Sequence, residues 1–514
     1  MNVRMGRGWS LKTLGLSALV LSLGGTCVAP SRPDQKASQE TPNIVYILAD
    51  DLGYGDLSCL NTESKIPTPN MDRLAADGMI FTDAHAGSAV CTPTRYGILT
   101  GRYAWRTRLK HGVLWGYSPR LIEPERMTVA SLLKQHGYST ACVGKWHLGL
   151  DWHTADGKKL SDRSNEPGET VDFSKPVSGG PTDLGFDYFF GIPASLDMYP
   201  YLYIENDRVV ELPSLRIEAS ERGKGGFWRA GPIAPGFKHI EVLPTIAEKA
   251  VGFIERHLQN SPDKPFFLYF PLTAPHTPVL PTEAFLGKSK AGKYGDFVVE
   301  VDWTVGQIVE TVERLGISDN TLIIVTSDNG PERHMQARKK QYNHYSSYHF
   351  RGMKRDAWDG GHRIPFIVRW PGRIKPGSRT NETICLTDLM ATVAEILGVT
   401  LPQGAGEDSY SILPAMLGKP LDSPMREATV HHSSRGEFAI RQGDWKLITC
   451  QGSGGNNYDT EPNAIKEDDP PMQLYNMAED VGERKNLFTQ NPEMVEHLSR
   501  ILDDYKTSSR STSR

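Results

Sequence analysis

Three short, almost wholly apolar runs each lead into a cluster of polar side chains, and this limits the folds open to the chain. Asn43 to Ala49 (NIVYILA) runs into Asp50-Asp51. Thr321 to Thr326 (TLIIVT) runs into Ser327-Asp328-Asn329-Gly330. Pro265 to Phe270 (PFFLYF) is followed by the stiff loop Ala274-Pro275-His276-Thr277-Pro278. Short continuous apolar runs predict strands buried on both faces. Helical spacings lie among them: Thr128 to His136, stopped by Gly137, then Thr245 to Leu258, Phe297 to Leu315 and Thr387 to Leu397. Strands alternating with helices predict an α/β fold, a mostly parallel central sheet flanked by helices. After about residue 420 the texture changes. Glu437 to Thr449 reads as a hairpin turning at Gly443-Asp444, Gln473 to Asn476 as a strand and Met494 to Tyr505 as an amphipathic helix. The expected organisation is a catalytic part over 43–420, a smaller C-terminal α+β lobe over 421–507 and a frayed tail over 508–514.

The first residues read as targeting. Arg4, Arg7 and Lys12 precede the apolar run Leu14 to Leu23, which is too short for a membrane helix of about 20 residues. Residues 1–29 are therefore expected to be a secretory signal peptide and 30–42 a polar linker. Cys27, after Gly24-Gly25-Thr26, loosely matches a lipoprotein box, so a lipid anchor and simple export both stand. Either outcome is expected to deliver a bacterial protein to the periplasm, the outer membrane or the medium. Six cysteines in 514 residues are too few for a disulfide framework. Lys+Arg 57 against Asp+Glu 61, a net charge of −4, exclude binding to nucleic acid by bulk charge.

The chemistry-bearing residues fall on the predicted strand ends and loops. Ligands of open α/β sheets gather beyond the carboxyl ends of strands, so Asp50, Asp51, Asp328 and Asn329 are expected to face one another. Three carboxylates and an amide oxygen make a hard site, suited to Ca²⁺ or Mg²⁺ rather than zinc. Ordinary turn chemistry is the competing reading of either pair alone. Cys91-Thr92-Pro93-Thr94-Arg95 holds a Pro-containing turn ahead of a helical stretch expected from Thr94, with the trailing Leu99-Thr100-Gly101-Arg102. Position 91 thus sits near a helix N-terminus, where free N–H groups favour anions. Lys145 and His147, two residues apart after a predicted strand, would share one face of extended backbone. His276 and Lys354 add a second imidazole and another cation.

The pattern C-x-P-x-R with its T-G-R sequel resembles the signature of sulfatases. The other segments follow in that family's order, including Gly185 to Gly191 (GFDYFFG), Leu474-Tyr475-Asn476 and Glu483 to Leu487, so the similarity spans about residues 43–490. The resemblance implies an alkaline-phosphatase-like fold. It implies that Cys91 is oxidised to formylglycine by a maturation enzyme, and that one Ca²⁺, ahead of Mg²⁺, is held by Asp50, Asp51, Asp328, Asn329 and the converted residue 91. Arg95, Lys145, His147, His276 and Lys354 are then expected around the sulfate. Arg95 would orient the nucleophile, His147 act as base, and His276, helped by Lys354, protonate the leaving alcohol. Asp359 stands where many members have Glu. Phosphomonoester and phosphodiester hydrolases of the same superfold are the alternative, although they usually carry His where this chain has Asn329. An inactive glycan-binding lipoprotein is the other. A sulfated saccharide is the expected substrate. Trp115, Tyr117, Tyr199, Tyr201 and Tyr203 are candidates to carry sugar rings, and Arg338-Lys339-Lys340 to meet further sulfates.

Overall fold

The computed structural model describes residues 41–158, 160–161, 171–220, 226–455 and 465–512. The signal peptide and nearly all of the linker expected for 1–42 lie outside the described residues. Among these residues no helix is long and apolar enough to cross a membrane.

The large sheet has ten strands. Its labelled members are β1 (Asn43–Asp50), β2 (Met79–Phe81), β3 (Ser139–Lys145), β4 (Tyr188–Ile192), β5 (Phe266–Pro275), β6 (Thr321–Ser327), β7 (Phe366–Arg369) and β8 (Ser378–Thr380). The order is β8-β2-β7-β6-β1-β5-β3-β4, continued by the short strands Ile204–Glu205 and Arg208–Val209. β1 lies between β5 and β6, parallel to both, and every residue of it is buried. That double burial explains the unbroken apolar run: neither face of a covered strand meets water. β7 is antiparallel to β6 and to β2.

Register sets the site. Asp50 is level with Pro275, and Ala49 is level with Ser327. The residues that follow, Asp51, His276 and Asp328, therefore leave the sheet at one height. β5 extends five residues past the predicted run, to Pro275. Helices α1 (Cys91–Thr100), α2 (Val129–Gln135), α3 (Val242–Asn260), α4 (Gly292–Arg314) and α5 (Leu389–Leu397) agree with the predicted periodicities. α1 begins at Cys91, three residues before the expected start. Pro93 fits there because a first-turn proline gives up an N–H that has no intrahelical partner.

The C-terminal sheet is antiparallel: β9 (Thr429–His432), β10 (Phe438–Gln442), β11 (Trp445–Ile448) and β12 (Gln473–Asn476), followed by α6 (Pro492–Thr507). Lys446 of β11 is fully buried and donates to Asp359 and to Glu483, each at 2.7 Å. Asp359, the position that departs from the resemblance, thereby ties the loop before β7 to this sheet. A second tie is a buried stack of His85, His362 and His431. The five cysteines among the described residues are all free.

Candidate active site

Cys91 is the first residue of α1, is buried, and borders a cavity of about 770 Å³. His147, His276 and Lys354 line the same cavity. Burial pushes the Cys91 thiol up, against the pull of Lys145 and Lys354. An unmodified Cys91 is therefore a protonated thiol, which is the poor form of that nucleophile.

The oxygen cluster assembles as the strand ends predicted. Asp50, Cys91 and Asp328 bring one ligand atom each within 4.8 Å of one another, and Asp50, Asp51 and His276 do the same. Asp51 has a left-handed backbone, φ 68°, a conformation that Asp tolerates better than most residues and that concentrates at functional sites. Its amide donates to Asp328 Oδ1 at 3.3 Å. Asn329 Nδ2 donates to Asp51 Oδ1 and to the Gly330 carbonyl, both at 2.8 Å, which fixes Oδ1 as the remaining acceptor. Asn329 Oδ1 and Asp50 Oδ1 are both buried without a hydrogen-bond partner. Two orphaned buried oxygens beside three carboxylates fit a hard divalent cation. Burial and the neighbouring Asp50 charge push Asp328 up to about 6; a cation there would relieve that repulsion.

The cations hold this frame. Arg95 is fully buried and grips Asp328 Oδ2 through Nε at 3.0 Å and Nη2 at 2.8 Å, while Nη1 donates to the Lys145 carbonyl at 2.9 Å. Lys145 Nζ donates to Asp50 Oδ2 at 2.7 Å. Burial opposes the charge on Asp50, but Lys145, His276 and Arg95 outweigh it and hold the carboxyl well below its usual range. Neither Arg95 nor Lys145 borders the cavity; both clamp the acidic cluster. Lys354 Nζ donates to Asp51 Oδ2 at 2.8 Å and does border the cavity.

The two histidines differ in a useful way. Lys145 ends β3, and His147 takes a left-handed φ of 58°, so the expected extended alternation stops before it. His147 Nε2 donates to the Leu114 carbonyl at 2.8 Å, which leaves Nδ1 as a buried lone pair without a partner. Burial first, then Lys145 and Arg95, hold His147 well below the usual imidazole range. His276 Nδ1 donates to the Thr277 carbonyl at 2.5 Å, leaving Nε2 3.7 Å from Asp51 Oδ2.

Several further expectations are corrected. Arg338 is buried, stacks on Tyr294 at 3.5 Å and donates to Ser346, so it does not meet a polymer, while Lys339, over Tyr345, and Lys340 stay exposed. Tyr117 and Tyr201 are core residues, and Tyr203 packs on Phe190 and Phe237. Of the five aromatic candidates only Trp115 borders the cavity. Sequence reasoning missed Ser195, Asp197, Arg229, Glu332 and Arg355 on the cavity wall. Glu332 and Arg355 form a 2.8 Å pair beside the metal loop and Lys354, and that adjacency was the available signal. Ser195 lies just past the carboxyl end of β4, a strand-end signal within reach of sequence reading, whereas Arg229 lies outside any strand.

Residues 42–399 match the family model described as Sulfatase. The chain is 36% identical to an N-acetylgalactosamine-6-O-sulfatase of Bacteroides thetaiotaomicron, covering 94% of this chain and 96% of that one. It is 32% identical to human arylsulfatase A over 90% of this chain and 87% of that one. A solved structure from work on glycosaminoglycan metabolism by Bacteroides thetaiotaomicron superposes with a TM-score of 0.78 at 35% identity, covering 91% of this chain and 100% of that one. With an acidic cluster, a helix-initiating Cys91 and a cavity lined by His147, His276 and Lys354 in the arrangement just described, the chain belongs to the sulfatase family and is a sulfuric ester hydrolase.

Proposed function

We propose that the enzyme removes sulfate from a sulfated saccharide, with residue 91 converted to formylglycine by a maturation enzyme and one Ca²⁺ held by Asp50, Asp51, Asp328, Asn329 and residue 91. The observation that carries the cation is the pair of buried oxygens on Asp50 and Asn329 that have no hydrogen-bond partner, the Asp50 oxygen having only Arg95 Nη2 at 3.7 Å. The saccharide draws support from the name of the Bacteroides relative and from the cavity, which is larger than a sulfate needs. Export by the first 29 residues, with or without a lipid at Cys27, belongs to the same reading.

The cation would neutralise charge on the sulfate oxygens. As a hydrated aldehyde, residue 91 would supply one hydroxyl to attack sulfur and a second whose deprotonation expels sulfate, which a serine ester cannot do. The chain's own residues do the rest. Arg95 and Lys145 keep Asp328 and Asp50 ionised and fixed, while Lys354 brings positive charge to the cavity. His147, neutral and with Nδ1 unoccupied, takes the proton from residue 91. His276, oriented by its Nδ1 bond to Thr277, presents Nε2 to protonate the leaving alcohol.

Chelation tests the cation. Protein stripped with a strong chelator and dialysed should lose at least about a hundredfold in sulfate release, and Ca²⁺ should restore it. Full activity in stripped protein, verified metal-free by elemental analysis, would overturn the assignment.

A further inference from the structure

Arg229 on the cavity wall is held from several sides and has no part in the sulfate chemistry described above. Its Nη1 donates to the Asp197 carboxylate and, at 3.1 Å, to the Asp197 carbonyl. Its guanidinium lies 4.7 Å from the centroid of the Trp115 ring and 5.1 Å from that of Phe227. Its backbone amide donates to the hydroxyl of buried Tyr201 at 3.0 Å, and that hydroxyl donates to the Arg229 carbonyl at 2.7 Å. Both main chain and side chain are therefore fixed, yet the Arg229 side chain stays 31% exposed while Asp197 is 8% exposed. Arg229, Asp197, Trp115 and Phe227 all border the cavity that contains Cys91.

Position and charge indicate what this clamp takes. Asp197 follows Ser195 by two residues, and Ser195 Oγ is 3.3 Å from both Lys145 Nζ and His276 Nδ1. Two residues span at most about 7 Å, so the clamp lies next to the sulfate chemistry, within reach of the ring that bears the ester. The Asp197 charge offsets that of Arg229, so the pair is a poor trap for a second anion. It is a good fixed donor: Nη1 serves Asp197, which leaves Nη2 for a ligand oxygen. Trp115, expected to carry a sugar face, borders the cavity and also braces the guanidinium.

We propose that Arg229 is the residue that reads the sugar: it donates to a ring hydroxyl of the saccharide that carries the sulfate, while Asp197 is a positioning residue that aims it. This rests on the saccharide reading and adds to it a division of labour, in which the groups around Cys91 select the sulfate ester and the Arg229 clamp selects the ring.

The test compares kcat/KM on N-acetylgalactosamine 6-sulfate, its 3-deoxy and 4-deoxy analogues, and 4-nitrophenyl sulfate, for the wild type, Arg229→Ala, Arg229→Lys and Asp197→Asn. The wild type should prefer the parent sugar over one deoxy analogue by about 10- to 100-fold, the range for a lost hydrogen bond to a charged group, mostly through KM. Arg229→Ala should abolish that preference, and Asp197→Asn should weaken it. All three variants should lose far more on the parent sugar than on the nitrophenyl ester. A preference that survives Arg229→Ala, or a wild type that does not distinguish the parent from either analogue, overturns the proposal. The saccharide reading is tested separately, on a panel of sulfated saccharides differing in sugar and in sulfate position: a wild type that turns over 4-nitrophenyl sulfate but no member of the panel overturns that reading and this proposal with it, and if another member is the better substrate its deoxy analogues take the place of those above. Should Arg229→Ala not fold, the same comparison in Arg229→Lys and Asp197→Asn decides the matter.

Discussion

The division between His147 and His276 is the sharpest statement at the scale of single residues. A sugar alcohol is a poor leaving group and needs a proton, whereas a nitrophenolate scarcely does. His276→Ala should therefore cut saccharide turnover by about 10²- to 10⁴-fold and nitrophenyl sulfate turnover much less. His147→Ala should slow both, leaving a burst of one alcohol equivalent per enzyme before a slow steady state. Because burial and two neighbouring cations lower the His147 pKa, it stays a base as pH falls through the usual value near 6.5. The acid limb of kcat should accordingly lie below pH 6.5. Equal losses on both substrates in His276→Ala would transfer the acid role to Lys354. Asp50, Asp51, Asp328 and Asn329 were legible because strand ends place them. Arg95 and Lys145 were legible as site residues but not as clamps on carboxylates, since only the folded distances show which anion each faces. Asp197 and Arg229 escaped the sequence reading because both lie in irregular segments outside any strand, which carry no periodicity.

At the scale of elements, three central strands and the helices between them followed from apolar runs and periodicity, whereas the order of the ten strands did not, and the miss at β5 came from its length. A strand that ends in proline-flanked loop sequence reads as stopping early, yet burial beside β1 keeps it extended to Pro275. Close backbone approach was equally hidden. A Cβ at Gly144, whose φ is 129°, would lie 2.0 Å from the Pro271 carbonyl oxygen, where β3 passes β5. A Cβ at Gly330 would lie 1.9 Å from the Gly360 carbonyl oxygen. Gly330 also donates its amide to the Gly361 carbonyl at 2.9 Å, pinning the loop that carries Asp328 and Asn329. Gly330→Ala should then destabilise the fold by about 1–3 kcal/mol and weaken Ca²⁺ binding measured by calorimetry. Unchanged affinity would show that the loop position does not set the cation site.

At the scale of the whole molecule, the parallel sheet and the C-terminal sheet are joined by buried charge. Lys446 meets Asp359 and Glu483 with no exposure of its own. Removing it leaves Glu483 buried without its cation and Asp359 with Arg363 alone, 3.2 Å away, so Lys446→Met should cost about 3–5 kcal/mol in denaturant unfolding. A loss under about 1 kcal/mol would mean that the two carboxylates are not held as charges. The texture change near residue 420 was visible, but this joint was not, because Lys446 and Asp359 lie far apart in sequence. The central claim is that sulfate release depends on a converted residue 91. Mass spectrometry of the peptide spanning Cys91, on protein produced with and without a maturation enzyme, should show formylglycine only in the first. Sulfate release per mole should rise in proportion to the converted fraction. Full activity in protein whose residue 91 is entirely unmodified cysteine would contradict the account.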